Sequence, residues 1–311
     1  MNFFPEGMLI DTPQNRQRTA TLAALGEAAQ TGEILEGRAI VCDAGHNLTV
    51  ELPGGLRGLI PRVEGALGIE EGQTRDIAIL SRVNKPICFT VSGFQQLSGQ
   101  LTPLLSRRAA QQQCMREWVS RMTPGQVIGA RVTHLEAFGC FVDIGCGLAS
   151  MIPIDAISIS RIAHPRDRFR VGQSIRAVVR TLEPNRVCLS HKELLGTWEE
   201  NASRFSPGET VAGIIRSVES YGVFVELTPN LAGLAEPREG VRCAQHASVF
   251  IKSLIPQKMK VKLILIDAFD ADYPPSAPDY WITEGRLTRW RYSPDCADRV
   301  LETIFCPASG D

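Results

Sequence analysis

The chain has 311 residues, 44% of them hydrophobic and 22% charged, an ordinary globular composition long enough for two or three domains. Its opening has no basic start and no apolar stretch of signal length, and the strongest apolar run, Leu263–Ile266, is far below the roughly 20 residues of a bilayer span, which excludes a secreted or membrane-spanning protein as the leading reading. The net charge of −1 hides a segregation: residues 101–196 hold 13 Lys and Arg against 7 Asp and Glu, and a basic middle of that kind can focus an anionic partner.

In chain order, Gln14–Gln30 is rich in Ala and Leu and predicts an N-terminal helix. A first set of short strands follows over 31–93. Leu104–Met122 predicts a linker helix, with Leu104, Leu105, Trp118, Val119 and Met122 as its apolar stripe. Five strands then follow in about 70 residues: Gln126–Leu135, Gly139–Ile144, Leu148–Pro153, Ser174–Leu182 and Arg186–Ser190, with turns at Gly145/Gly147 and Glu183-Pro184-Asn185. With no room for helical crossovers, they suggest a small closed or partly open barrel. Gly129 and Gly213 stand where such a barrel needs tight bends. Lys192–Phe205 reads as a shorter helical linker, and the run Pro274-Pro275-Ser276-Ala277-Pro278 breaks the chain after a third set of strands. Tyr280–Thr283 and Leu287–Tyr292 then predict a hairpin across Glu284-Gly285.

The sequence repeats itself. Phe138-Gly139-Cys140-Phe141-Val142-Asp143-Ile144 returns 83 residues later as Tyr221-Gly222-Val223-Phe224-Val225-Glu226-Leu227. A fainter copy lies 92 residues upstream, where Thr49-Val50-Glu51-Leu52 matches Phe141–Ile144. The expected domains are an N-terminal helix over 1–30, a degenerate barrel over 31–100, a linker helix over 101–123, barrels over 124–196 and 197–270, and an extension over 271–311.

The middle and third copies resemble the S1 RNA-binding domain family. The residues that carry the resemblance are Gly125-Gln126-Val127 with Gly129, the Phe138-Gly139-x-Phe141-Val142-Asp143 block, Val171-Gly172-Gln173, and the ending Arg186-x-x-Leu189-Ser190-x-Lys192. The whole arrangement, tail included, is similar to the short ribosomal-S1-like proteins of clostridia-type bacteria. That resemblance implies a mainly β chain of tandem five-stranded OB-fold barrels joined by helical linkers, with a C-terminal hairpin. It also implies a cytoplasmic, non-enzymatic protein without cofactor that binds single-stranded RNA, in particular mRNA near the small ribosomal subunit. In the family, two aromatics, a histidine, an acid and an arginine face RNA. Here Phe138, Phe141 and Arg186 match, while Pro153 stands at the histidine position and Leu182 at the acid position. In the third copy Tyr221 and Phe224 match, and Glu236 replaces the histidine. The first copy has His46 and Thr49 at the aromatic positions, which removes the stacking platform.

Bases stack on aromatic rings while cations track the phosphates. Phe138 and Phe141 stand three apart, so a regular strand would turn them to opposite faces unless a bulge at Gly139 restores one face. Arg161, Arg166, Arg168, Arg170, Arg176, Arg180 and Arg186 crowd the second half of the middle copy, and guanidinium forks suit phosphate. Arg168, Arg176 and Arg186 are the leading candidates. Lys258, Lys260 and Lys262 alternate and would share a strand face, either an RNA face or a solubilised edge. Trp281, Trp290 and Tyr292 suit packing against a neighbouring domain better than stacking. Neither Cys140 with Cys146 nor Cys243 with His246 has a second pair at zinc spacing, so no metal is expected, and no histidine has a catalytic partner at recognisable spacing. Two rivals remain: a metal-dependent ribonuclease using Asp267, Asp270 and Asp272, and a protein-interaction scaffold of barrels.

Overall fold

A computed structural model describes residues 3–305 apart from Ser98, Pro184, Asn185 and Pro275. The turn expected at Pro184-Asn185 and the break expected at Pro275 lie outside the described residues. One compact unit holds the residues up to Met122 together with Asp143–Ala149, and a second holds Thr123–Val142 and the chain from Ser150 onward.

In the first unit, two helices replace the single one expected: α1 (Pro13–Thr19) and α2 (Leu22–Thr31). Thr12 and Thr21 each cap a helix with a side-chain oxygen, so the second cap interrupts the Ala- and Leu-rich run. The strands β1 (Leu35–Cys42), β2 (Leu48–Glu51), β3 (Arg57–Ile60), β4 (Pro86–Leu97) and β5 (Gln100–Ser106), with α3 (Ile77–Leu80) between β3 and β4, close a barrel in the order β1-β2-β3-β5-β4. Leu48, Val50, Ile60, Ile87, Phe89 and Leu105 fill it, and Leu25 and Ala28 of α2 join the same core. The barrel therefore runs to Ser106, not to residue 93 or 100. Leu104 and Leu105, expected on the linker helix, belong to β5, because Ser106 caps the helix that follows, α4 (Arg107–Glu117). The buried stripe of α4 is Arg107, Ala110, Gln111 and Cys114, with Arg107 held by Glu6. Asp143 organises its turn: its carboxylate accepts hydrogen bonds from the N–H groups of Glu6 at 2.7 Å, Gly145 at 2.8 Å and Gly147 at 3.0 Å.

The middle barrel consists of β6 (Val127–Glu136), β7 (Gly139–Asp143), β8 (Ala149–Pro153), β9 (Ser174–Glu183) and β10 (Arg186–Ser190), closed in the cyclic order β10-β8-β7-β6-β9. These are the five expected strands to within one residue at each end. The helical linker is shorter than expected, a 3-10 turn Lys192–Leu195 followed by α5 (Trp198–Ala202), whose Thr197 and Glu200 form a capping box. The third barrel follows with β11 (Thr210–Glu219), β12 (Gly222–Thr228), β13 (Leu231–Ala235), β14 (His246–Ile255) and β15 (Lys260–Phe269). All three barrels share one topology.

The second strand of the expected tail hairpin forms, as β16 (Arg289–Arg291), but its partner is β17 (Glu302–Ile304) and not Tyr280–Thr283. Tyr280 and Trp281 cannot pair there because they are engaged elsewhere. The Tyr280 hydroxyl accepts the Arg176 N–H at 3.0 Å, and the Trp281 N–H donates to the Leu194 carbonyl at 2.9 Å. Trp290 and Tyr292 are buried in one apolar cluster with Val178 of the middle barrel, Leu194 of the linker and Ile215 and Val225 of the third barrel. They pack and do not stack bases. The Leu287 N–H donates to the Gly125 carbonyl, and a Cβ at Gly125 would lie 1.7 Å from the Leu287 oxygen, so only glycine allows the tail this approach.

Candidate nucleic-acid interface

In the middle and third barrels the second strand buries its side chains around one partly exposed ring. On β7 that ring is Phe141, and on β12 it is Phe224, with Leu227 and Thr228 also partly exposed at the strand's end. The partner ring comes from the turn before the strand, and this brings the two rings together. Phe138 is 57% exposed and Tyr221 is 64% exposed. Phe138 meets Phe141 edge to face at 5.9 Å and 89°, and Tyr221 meets Phe224 at 6.1 Å and 88°. The glycine between the two rings is required by close approach. A Cβ at Gly139 would stand 2.7 Å from the Ile152 carbonyl oxygen, and one at Gly222 would stand 2.6 Å from that of Ala235. An edge-to-face pair leaves ring faces open to a base, since each ring spends only an edge or one face on its neighbour.

The strand register extends the platform in the third barrel. Ser217, Phe224, Leu234, Lys262 and Ser253 pair in succession across five strands and so share the outward face. Lys262 stands two strands from Phe224, about 10 Å away. Lys260 shares its face, but Lys258 does not. Lys258 ends a 3-10 turn, and Met259, in the left-handed region, separates it from β15. In the middle barrel, Cys188 pairs with Met151, the repeat equivalent of Leu234, and exposed Arg186 lies two residues away on the same face.

The other two arginines are elsewhere. Arg168 is 8% exposed, and its guanidinium pairs with Glu226, so the expectation that it meets phosphate is corrected: burial and the ion pair take it out of reach. Arg176 is exposed opposite Gly129 on β6. Thr133, whose hydroxyl donates to the Phe141 carbonyl, is four residues further along β6, about 13 Å, so Arg176 lies away from the rings. His134, which linear spacing does not single out, stands beside Phe141 with ring centroids 6.3 Å apart and pairs with Glu136 at 2.6 Å. It lies on β6, on the other side of β7 from Pro153 on β8, and only the pairing of β6 with β7 reveals it. Asp267 accepts the N–H of Ala268, and Asp270 pairs with Arg242. Among the described residues no three His, Cys, Asp or Glu side chains converge to hold a metal, and no helix is long and apolar enough to cross a membrane.

Residues 121–192 match the family model of the S1 RNA binding domain. The match covers the middle barrel and its approach, the segment whose motifs carry the family resemblance. The chain is also similar to curated proteins named small ribosomal subunit protein bS1 or its homologue. It is 32% identical over 138 residues to the homologue from Bacillus subtilis, covering 42% of this chain and 36% of that protein. It is 24% identical over 276 residues to the protein from Rhizobium meliloti, covering 83% of this chain and 47% of that one. The chain spans about half the length of the curated relatives it matches. Among solved structures, a multidomain protein with nucleic acid binding domains from Streptococcus pneumoniae is 15% identical and covers 76% of this chain and 74% of its own, with a TM-score of 0.25, too low to carry any inference.

Proposed function

We propose that the chain is a non-enzymatic RNA-binding protein of the cytoplasm that captures single-stranded RNA, mRNA in particular, on its middle and third barrels. Bases stack on Phe138 with Phe141 and on Tyr221 with Phe224. Arg186, Lys260 and Lys262 meet the phosphates beside them, while Arg176 and Lys258 contact the strand further along. The observation that carries this reading is one edge-to-face aromatic pair, at the same strand position, in two barrels. Structural need alone does not explain exposed rings at both places, because the first barrel closes without them. The curated bS1 relatives support a place in translation and contact with the small ribosomal subunit.

The test is a titration of the full chain with labelled oligouridylate of about 16 nucleotides, at the upper end of the site size of one OB fold, beside a duplex of equal length. Single strands bind more tightly than the duplex, and the combined variant Phe138→Ala, Phe141→Ala, Tyr221→Ala, Phe224→Ala loses most of that affinity while keeping its melting temperature within a few degrees. Equal affinity for the duplex, or undiminished binding by the folded variant, overturns the reading.

A further inference from the structure

The loop between β8 and β9 belongs to the middle barrel by sequence but is bound to the outer side of the third. The Ser160 N–H donates to the Pro229 carbonyl at 3.0 Å, and the Ile159 N–H donates to the Asn230 side-chain oxygen at 3.0 Å. At the other end of the loop, Arg168 pairs with Glu226 and Asp167 lies 3.5 Å from the Arg216 guanidinium. Arg216 in turn donates from Nε to the Glu226 carboxylate at 2.8 Å. Glu226 shares the outward face of β12 with Phe224, two residues and about 6.6 Å away, and Arg216 sits in the β11 bulge next to Ser217, which pairs with Phe224. The loop is therefore fastened at one end two residues from Phe224 and at the other in the turn that follows β12.

The charges in this junction cancel. Arg168 and Arg216 are matched by Asp167 and Glu226, and a buried set of that kind holds geometry without leaving a field for a ligand. The loop's other arginines are Arg161, Arg166 and Arg170, and the first two flank its anchors. Each adjoins a residue fixed on the third barrel, Ser160 and Asp167 respectively. Both are exposed, and among the described residues no carboxylate pairs with either. Arg166 adjoins the anchor on β11 and β12, Arg161 adjoins the anchor at the turn after β12, and Lys262 stands on the other side of Phe224, beyond β13.

We propose that Arg161 and Arg166 of the middle barrel serve the aromatic pair of the third, holding phosphates of the strand whose bases stack on Tyr221 and Phe224. The RNA site of the third barrel is thus composite and incomplete without its neighbour's loop. This rests on the reading that the aromatic pairs bind single-stranded RNA.

The test is a double-mutant cycle on the full chain with the same labelled oligouridylate, read at several salt concentrations. Arg161→Ala with Arg166→Ala leaves the melting temperature unchanged, because neither guanidinium is buried or paired. It makes the slope of log affinity against log salt shallower by about 1.4, at about 0.7 for each phosphate released from contact in a single strand. In a Tyr221→Ala, Phe224→Ala background the same pair of changes loses more than half of its effect, whereas in a Phe138→Ala, Phe141→Ala background the effect stays whole. Coupling to Phe138 and Phe141 instead, or an arginine effect equal in all three backgrounds, overturns the composite site. An unmodified chain that does not bind the probe overturns the RNA reading itself, a result distinguishable from either of these.

Discussion

The first and third barrels have the same strand order and the same register, and they differ in what the register carries. In the third, the outward row is Ser217, Phe224, Leu234, Lys262 and Ser253. In the first, the same row is Val41, Thr49, Leu59, Leu104 and Gly93. The ring is replaced by a threonine and the cation by a leucine. His46, at the position of Tyr221, is turned to Asp76 at 3.3 Å. Inside, the two barrels agree closely. A Cβ at Gly37 would lie 2.6 Å from Val50 Cγ1, and one at Gly213 would lie 2.5 Å from Val225 Cγ1. Gly58 meets Leu105 Cδ1 at 2.4 Å by the same measure, and Gly233 meets Leu263 Cδ1 at 2.5 Å. The inward side chains and their glycine clearances set the fold, and the outward row is free to carry or lack a site.

The largest expected effect that separates the two barrels comes from the rings. Tyr221→Ala with Phe224→Ala lowers affinity for single-stranded RNA by about 2–6 kcal/mol, at about 1–3 kcal/mol for each stacked base. His46→Ala with Thr49→Ala changes it by less than the error of a fluorescence anisotropy titration. A comparable loss from both pairs would erase the distinction.

A smaller effect should be common to both. Gly58→Val and Gly233→Val each insert a branched side chain against a core leucine. Overpacking of that kind costs about 1–3 kcal/mol, measured by urea denaturation. A cost in one barrel and none in the other would show that their interiors are not equivalent.

The smallest effect tests the cation. Lys262→Ala makes the salt slope of RNA binding shallower by about 0.7, for one phosphate contact, while Leu104→Ala leaves it unchanged. An unaltered slope with Lys262→Ala would leave the third barrel with stacking alone on that side.

Much of this protein is legible in the linear sequence. The offset of 83 residues marks the two aromatic pairs. The five strands of the middle barrel, and the loss of the platform in the first, come from local pattern alone. Leu104 and Leu105 were harder, because an apolar pair followed by a helix reads equally well as the end of a strand or the first turn of that helix. The Ser106 cap and the pairing with β4 and β3 decide for the strand.

Other features exist only once distant segments meet. Arg168 looks like its six arginine neighbours until Glu226, 58 residues away, buries it, and His134 becomes part of the platform only when β6 pairs with β7. Trp290 and Tyr292 become core because the tail crosses two barrels. The physical reason is the same each time. Backbone period and turn chemistry act over a few residues and are written locally, whereas burial of a charge or ring depends on which surfaces are brought together, and that is decided by the packing of whole barrels.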